Sequence, residues 1–193
     1  MNMKLRTALL LCAFAPLASA QVAEASISAG QSLFRNSGLG TDGQYVYRIK
    51  DGFRIGGRLT LNTYRFFGHE FGYAYSRSKL ADTTNAFNVG MPTHQGFYNF
   101  LAYAFPEGSP VRPFVAGGGH FSTFYPPGTS ASYGNGVTKF GLNYGAGIKV
   151  KVSSMYYIRV DVRDYFTPKP FDLIDKSGLL HQIEASAGFG IVF

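Results

Sequence analysis

Apolar and polar residues alternate with a period of two along several long segments of this chain. In the segment around residue 145 the apolar positions are Phe140, Leu142, Tyr144, Ala146, Ile148, Val150 and Val152. The intervening positions are Lys139, Gly141, Asn143, Gly145, Gly147, Lys149 and Lys151. Because successive side chains of a β-strand point to opposite faces, this period is typical of strands with one apolar face and one polar face. After residue 20 no segment carries a sustained helical stripe, so the sequence predicts an all-β protein.

Eight segments have this strand character: 24–35, 52–62, 69–79, 95–105, 111–124, 138–152, 155–166 and 181–193. The connections between them alternate in length. The long ones are 36–51, 80–94, 125–137 and 167–180, and the short ones are 62–68, 106–110 and 153–154. Alternating long loops and short turns are typical of membrane barrels, in which the short turns face the periplasm. The predicted fold is an all-β, eight-stranded antiparallel up-and-down transmembrane β-barrel.

A transmembrane barrel turns its apolar face to lipid and its polar face to the lumen, the reverse of a soluble barrel. Aromatic residues near the strand ends, Gly and Ser on the polar face, and strands of roughly 10–15 residues favour the membrane arrangement. The predicted lumen then holds ten charged residues: Glu24, Arg54, Arg58, Glu70, Lys149, Lys151, Arg159, Asp161, Arg163 and Glu184. Eight strands leave room only for side chains, so we expect these charges to pair in a network that fills the interior. For segments 95–105 and 111–124 the pattern assigns no facing.

The first twenty residues have the features of a cleavable signal peptide. Lys4 and Arg6 precede the apolar run 8–15, and Ala18-Ser19-Ala20 fits a cleavage site. We therefore expect residues 1–20 to be removed and residues 21–193 to form one barrel domain. Because the chain's single cysteine, Cys12, lies in the removed part, we expect no disulfide in the barrel.

The last strand ends on an aromatic residue, as the terminal strands of bacterial outer-membrane barrels do. Its outward residues Phe189, Ile191 and Phe193 are the predicted assembly signal. The resemblance implies recognition of this end by the barrel-assembly machinery of a Gram-negative envelope.

Further segments resemble the OmpA-like transmembrane-domain family of outer-membrane β-barrels. They are Arg-Pro-Phe-Val-Ala-Gly-Gly-Gly at 112–119, Asn-Tyr-Gly-Ala-Gly at 143–147, Arg-Val-Asp-Val-Arg-Asp-Tyr at 159–165 and Phe-Gly-Ile-Val-Phe at 189–193. The resemblance covers nearly all of the chain after residue 20. It implies a structural, adhesion or narrow porin-like role in the outer membrane. The implied partners are outer-membrane lipid and lipopolysaccharide, with possible surface ligands at loops 36–51, 80–94, 125–137 and 167–180.

The sequence predicts no enzymatic activity, cofactor or metal site. The four histidines, His69, His94, His120 and His181, have no metal-ligand spacing. Without Lys4 and Arg6 the net charge falls from +7 to +5, and the basic residues form no compact cluster that indicates nucleic-acid binding.

Two alternatives of other classes stay open. The first is a lipid A deacylase-like hydrolase, because His120 and Ser122 share one strand face. Against it, Thr123 replaces the Asn of that family, and no acidic residue lies between Gly108 and Met155 to orient the histidine. The second is a soluble periplasmic ligand-binding barrel, which would need no detergent.

Overall fold

The computed structural model describes residues 22–42, 45–82, 88–126, 135–170 and 178–193. The predicted signal peptide lies outside these ranges, as do residues 83–87, 127–134 and 171–177 of the predicted long loops. The strands are β1 Val22–Arg35, β2 Gly38–Asp42, β3 Tyr45–Tyr64, β4 Phe67–Ala81, β5 Asn88–Tyr103, β6 Val111–Phe124, β7 Val137–Lys151, β8 Tyr156–Pro168 and β9 Leu179–Val192. In this part of the chain no helix is long and apolar enough to cross a bilayer.

Eight of the strands form a closed antiparallel barrel, because β1 pairs with β9 on one side and with β3 on the other. The β1–β3 register runs from Val22↔Asn62 to Ser32↔Gly52. Closure matters because an open strand edge would leave backbone N–H and C=O groups without partners in hydrocarbon. The predicted eight-stranded barrel is thus confirmed, and the short strand β2 extends it by pairing with the first part of β3.

The barrel has two distinct ends. At the short-turn end lie the connections 65–66, 104–110 and 152–155 together with Val22 and Phe193. At the long-loop end lie the β2–β3 hairpin and the connections that join β4 to β5, β6 to β7 and β8 to β9. The alternation of connection lengths that the sequence predicts is therefore present.

The strands reach further toward the long-loop end than the sequence predicts. β3 begins at Tyr45 instead of residue 52, and β5 begins at Asn88 instead of residue 95. The sequence does not predict these extensions because they contain residue types that are typical of turns. Residues 51–52 form a bulge between the register pairs Lys50↔Lys79 and Phe53↔Arg77, and such an insertion bends a strand without ending it. Pro92 lies within β5, where its carbonyl oxygen still accepts a hydrogen bond from the Tyr125 N–H at 3.0 Å.

The barrel carries its apolar residues outside and its charges inside. On β8, Ile158 is 48% exposed while its neighbour Arg159 is 1% exposed. The largest fully buried side chains include Arg54, Arg159 and Arg163. Soluble proteins rarely bury arginine or expose a continuous apolar belt, so this surface fits lipid and not water. The soluble-barrel alternative is inconsistent with it.

The structure assigns the two strands whose facing the sequence left open. On β5, Gln95, Phe97, Asn99, Leu101 and Tyr103 are buried, and Tyr98 and Phe100 lie outside. On β6, Arg112, Phe114, Ala116, His120 and Ser122 are buried, and Val115 and Phe121 lie outside. Because aromatic residues occupy both faces of β5, hydrophobicity alone could not separate them.

Glycine makes room for large inward side chains. A Cβ atom placed on Gly72 would overlap the ring of Phe97, which lies across β4 inside the barrel. Outward-facing Gly57 has no such neighbour, since the nearest atom to its Cβ position is the Ser26 carbonyl oxygen at 3.8 Å. Close packing in the narrow lumen therefore depends on the missing side chain at position 72.

We expect Gly72→Ala to destabilise the folded barrel by about 1–3 kcal/mol, the usual cost of overpacking a core. Gly57→Ala is the matched control, with an expected change within about 0.5 kcal/mol. Urea titration in detergent micelles, with the folded fraction read from the heat-modifiable gel shift, measures both. Equal urea midpoints for the two variants would show that the lumen tolerates a side chain beneath Phe97.

Candidate functional site

The middle of the lumen holds two carboxylates between arginines of β8. Glu70 accepts a hydrogen bond from Arg163 Nη2 at 2.7 Å and another from Arg159 Nη1. Asp161 Oδ2 accepts from Arg159 Nη2 and from Arg163 Nε, both at 2.9 Å. Each arginine thus bridges the same two acids, which is the planar, forked use of guanidinium that favours it over lysine.

Arg58 connects this centre to a second group nearer the long-loop end. Its Nη2 lies 3.6 Å from Asp161 Oδ1 and donates to Glu184 Oε1 at 2.8 Å. Glu184 also pairs with Arg54, whose Nε lies 2.9 Å from Oε2. Seven residues therefore form one continuous network: Arg54, Arg58, Glu70, Arg159, Asp161, Arg163 and Glu184. We call it the central network.

Aromatic rings surround the arginines of the central network. Arg54 lies over the Tyr165 ring at 5.0 Å and Arg159 lies over the Phe114 ring at 4.6 Å. Four arginines face only three carboxylates in this network, and the electron-rich ring faces interact favourably with the extra positive charge.

A separate ionic group lies at the short-turn end. Lys149 donates to Glu24 and also to the Tyr103 hydroxyl, the latter at 2.8 Å. Arg112 pairs with Glu107 at 2.8 Å, lies 3.8 Å from Glu24, and stacks on the Tyr103 ring at 3.7 Å. Glu24 and Lys149 therefore pair with each other. Among the described residues, neither of them forms an ion pair with a member of the central network.

One predicted member of the lumen group lies elsewhere. Lys151 is exposed at the last residue of β7, where the strand leaves the barrel, and it makes no salt bridge to any residue that the structure describes. The alternation places it on the inward face, but its side chain is exposed at the mouth of the lumen, where it lines a hollow with Glu24 and Lys149. The predicted assembly-signal residues lie outward, with Phe189 46% and Phe193 74% exposed.

Two charged residues of the ionic group at the short-turn end, Arg112 and Glu107, were not predicted from the sequence. Pro113 and the glycine run that follows obscured the alternation on β6, and Glu107 lies in a turn. A polar layer on the long-loop side of the central network was not predicted either. There Gln95 donates to Ser122 Oγ and Gln182 donates to Ser32 Oγ, each at 2.9 Å.

The two residues of the hydrolase alternative lie inside the barrel. His120 and Ser122 are 5% and 1% exposed, and the His120 ring contacts the edge of Tyr165 at a centroid distance of 5.1 Å. Within the described ranges neither ring nitrogen of His120 has a hydrogen-bond partner, so no carboxylate orients the ring there and no hydrogen bond joins it to Ser122. Likewise, no group of three or more His, Cys, Asp or Glu in these ranges has the geometry to hold a metal ion.

Comparison with known proteins places this architecture in a family. The family model described as "Outer membrane protein beta-barrel domain" matches residues 6–193. A search of curated proteins gives no match. Among solved structures, Neisserial surface protein A is 14% identical with a TM-score of 0.62, over 89% of this chain and 97% of that one. OprG of Pseudomonas aeruginosa is 11% identical with a TM-score of 0.59, over 90% of this chain and 95% of that one.

A third similar structure is the N-terminal β-barrel domain of OprF from Pseudomonas aeruginosa, which is 14% identical with a TM-score of 0.54, over 90% of this chain and 97% of that one. At these identities the structures show a common fold. The family model, in contrast, spans every strand of the barrel. The chain therefore belongs to the outer membrane protein β-barrel domain family.

Proposed function

We propose that this protein is a structural outer-membrane barrel with a closed interior, and not a pore or an enzyme. The observation that supports this most directly is the burial of the central network. Its seven charged side chains cross the lumen, and none of these residues is more than 5% exposed. An eight-stranded barrel of this kind has its interior occupied by side chains, which leaves no aqueous path.

Two apolar clusters flank the central network along the barrel axis. At the long-loop end, buried apolar residues from seven strands pack together: Phe34, Leu39, Ile49, Leu80, Met91, Phe124 and Leu180. Toward the short-turn end the second cluster consists of Leu101, Tyr103, Phe114 and Ala116. Apolar constrictions exclude water and ions. This arrangement favours the structural role over a narrow porin-like one.

The outward surface supports the same proposal. The membrane-facing residues form an apolar belt that includes Ile55, Leu59, Phe71, Val160 and Phe189. This belt would fix the barrel in lipid, so that the long-loop end is presented to the outside. The four predicted loops remain the candidate sites for surface ligands. The β2–β3 hairpin, which contains part of the first loop, lengthens the barrel at that end.

We expect no discrete current steps from the folded wild-type protein in planar bilayers, because a buried ionic layer lies between two apolar ones. Insertion is verified independently by the heat-modifiable gel shift of protein recovered from the same vesicles. Reproducible, ion-selective steps from inserted protein would instead establish the porin-like role.

We expect Asp161→Asn to destabilise the barrel by about 3–5 kcal/mol, because it leaves Arg159 and Arg163 buried with one acid between them. The matched control is Asp164→Asn on the same strand. Asp164 lies outside, where among the described residues its ion pair is with His181 at 2.8 Å, and its loss costs within about 1 kcal/mol. Urea midpoints in micelles compare the two variants. Similar midpoints would show that the central network does not stabilise the fold.

A further inference from the structure

Five cationic side chains gather on the outward face of β1, β3 and β4 at the long-loop end. They are Arg35, Arg48, Lys50, Arg77 and Lys79, and we call them the basic patch. Lys50 and Lys79 lie directly opposite each other in the β3–β4 register, and Arg77 follows two residues along the same outward row. Like charges in directly opposed cross-strand positions disfavour the sheet, so this register concentrates positive charge at a cost.

One carboxylate, that of Asp51, lies among these cations, and it accepts a hydrogen bond from a backbone N–H. Asp51 Oδ1 accepts a hydrogen bond from the Phe34 N–H at 2.7 Å and lies 4.0 Å from Arg35 Nη1. The five cations of the patch therefore outnumber this acid. The β3 bulge at residues 51–52 brings Asp51 and Lys50 side by side at the rim.

The surface at this point is concave. A hollow of about 550 Å³ is lined by residues of the patch together with Phe34, Ser37, Ile49, Asp51 and Asn88. Arg35, Arg48, Lys50 and Lys79 all contribute to its walls. The hollow is large enough for a phosphorylated sugar or headgroup and presents several N–H donors to it.

The basic patch borders the lipid-facing belt. Arg77 follows Tyr75 on β4, and Lys50 precedes Phe53, which is 50% exposed, on β3. The headgroup layer of a bilayer begins where the apolar band of a barrel ends. On the other side of the barrel, the outward positions near the same end of β6, β7 and β8 carry Thr123, Thr138 and Asp164. None of these three outward positions carries a cation.

We propose that the basic patch binds the phosphate groups of an anionic lipid in the outer leaflet, whose acyl chains lie against the apolar belt below. This inference rests on the proposed function, since the patch must be at headgroup height. A lipid fits better than a soluble polyanion because the basic patch continues along β3 into the exposed apolar belt at Phe53, which acyl chains can cover. Arg and Lys are both suited to phosphate, through forked and point-charge contacts respectively.

The test uses the folded mature protein in neutral detergent micelles with bisphosphorylated lipid A as the probe. Added lipid A should raise the thermal midpoint of unfolding for the wild type. Arg77→Gln/Lys79→Gln should weaken lipid A binding roughly 30-fold at low ionic strength, given the usual contribution of each cation at a membrane surface. The matched control is Arg65→Gln/Lys151→Gln, which removes two exposed cations from the short-turn end and should bind as the wild type does.

Three comparisons test the role of phosphate, the nature of the occupant and the position of the site. Dephosphorylated lipid A should give no shift, and an equal shift with it would overturn the role of phosphate. Inorganic phosphate or sucrose octasulfate that raised the midpoint as much as lipid A would overturn the lipid as the occupant. Equal binding by the patch and control variants would overturn the location. The gel shift without lipid reports the barrel itself, so loss of folding tests the proposed function and not this site.

Discussion

The pairing of β1 with both β3 and β9 is the constraint on which the rest of this structure depends. It supplies partners for backbone groups that would otherwise face hydrocarbon, and it limits the barrel to eight strands. Eight strands in turn leave a lumen of side-chain width. Every inward residue must then pack against others, which is why glycine lies beneath Phe97 and why carboxylates and guanidinium groups meet at hydrogen-bonding distance.

The central network and the two apolar clusters act together. Buried charges are costly unless their partners are close and well oriented, and here Glu70, Asp161 and Glu184 each contact at least two arginines. The apolar clusters on either side keep water away and so strengthen these ion pairs. Under the proposed structural role, the same arrangement that stabilises the barrel also closes the path that a porin would need.

Much of this architecture is predictable from the alternation of residue types, because facing in a strand follows directly from period two. Parity alone places Arg58, Glu70 and Arg159 on the inward face. It fails where both faces are aromatic, as on β5, and where Pro113 and glycines interrupt the pattern, as at Arg112. Lys151 has the right parity but is exposed at the mouth of the lumen. The basic patch could not be predicted from the sequence, because barrel closure and strand register bring together residues 35, 48–50 and 77–79, which are far apart in the chain.

The ion pairs also bear on how neighbouring strands find their alignment. A shift of two residues in the register between β8 and β9 would keep every apolar side chain outside, so the hydrophobic effect does not disfavour it. In the observed alignment Arg163 lies opposite Glu184 and Asp161 lies opposite Ser186. A two-residue slip in one direction would set Asp161 against Glu184, two acids with no water to separate them. The interior charges thus disfavour a misaligned barrel that the outward apolar residues alone would not disfavour.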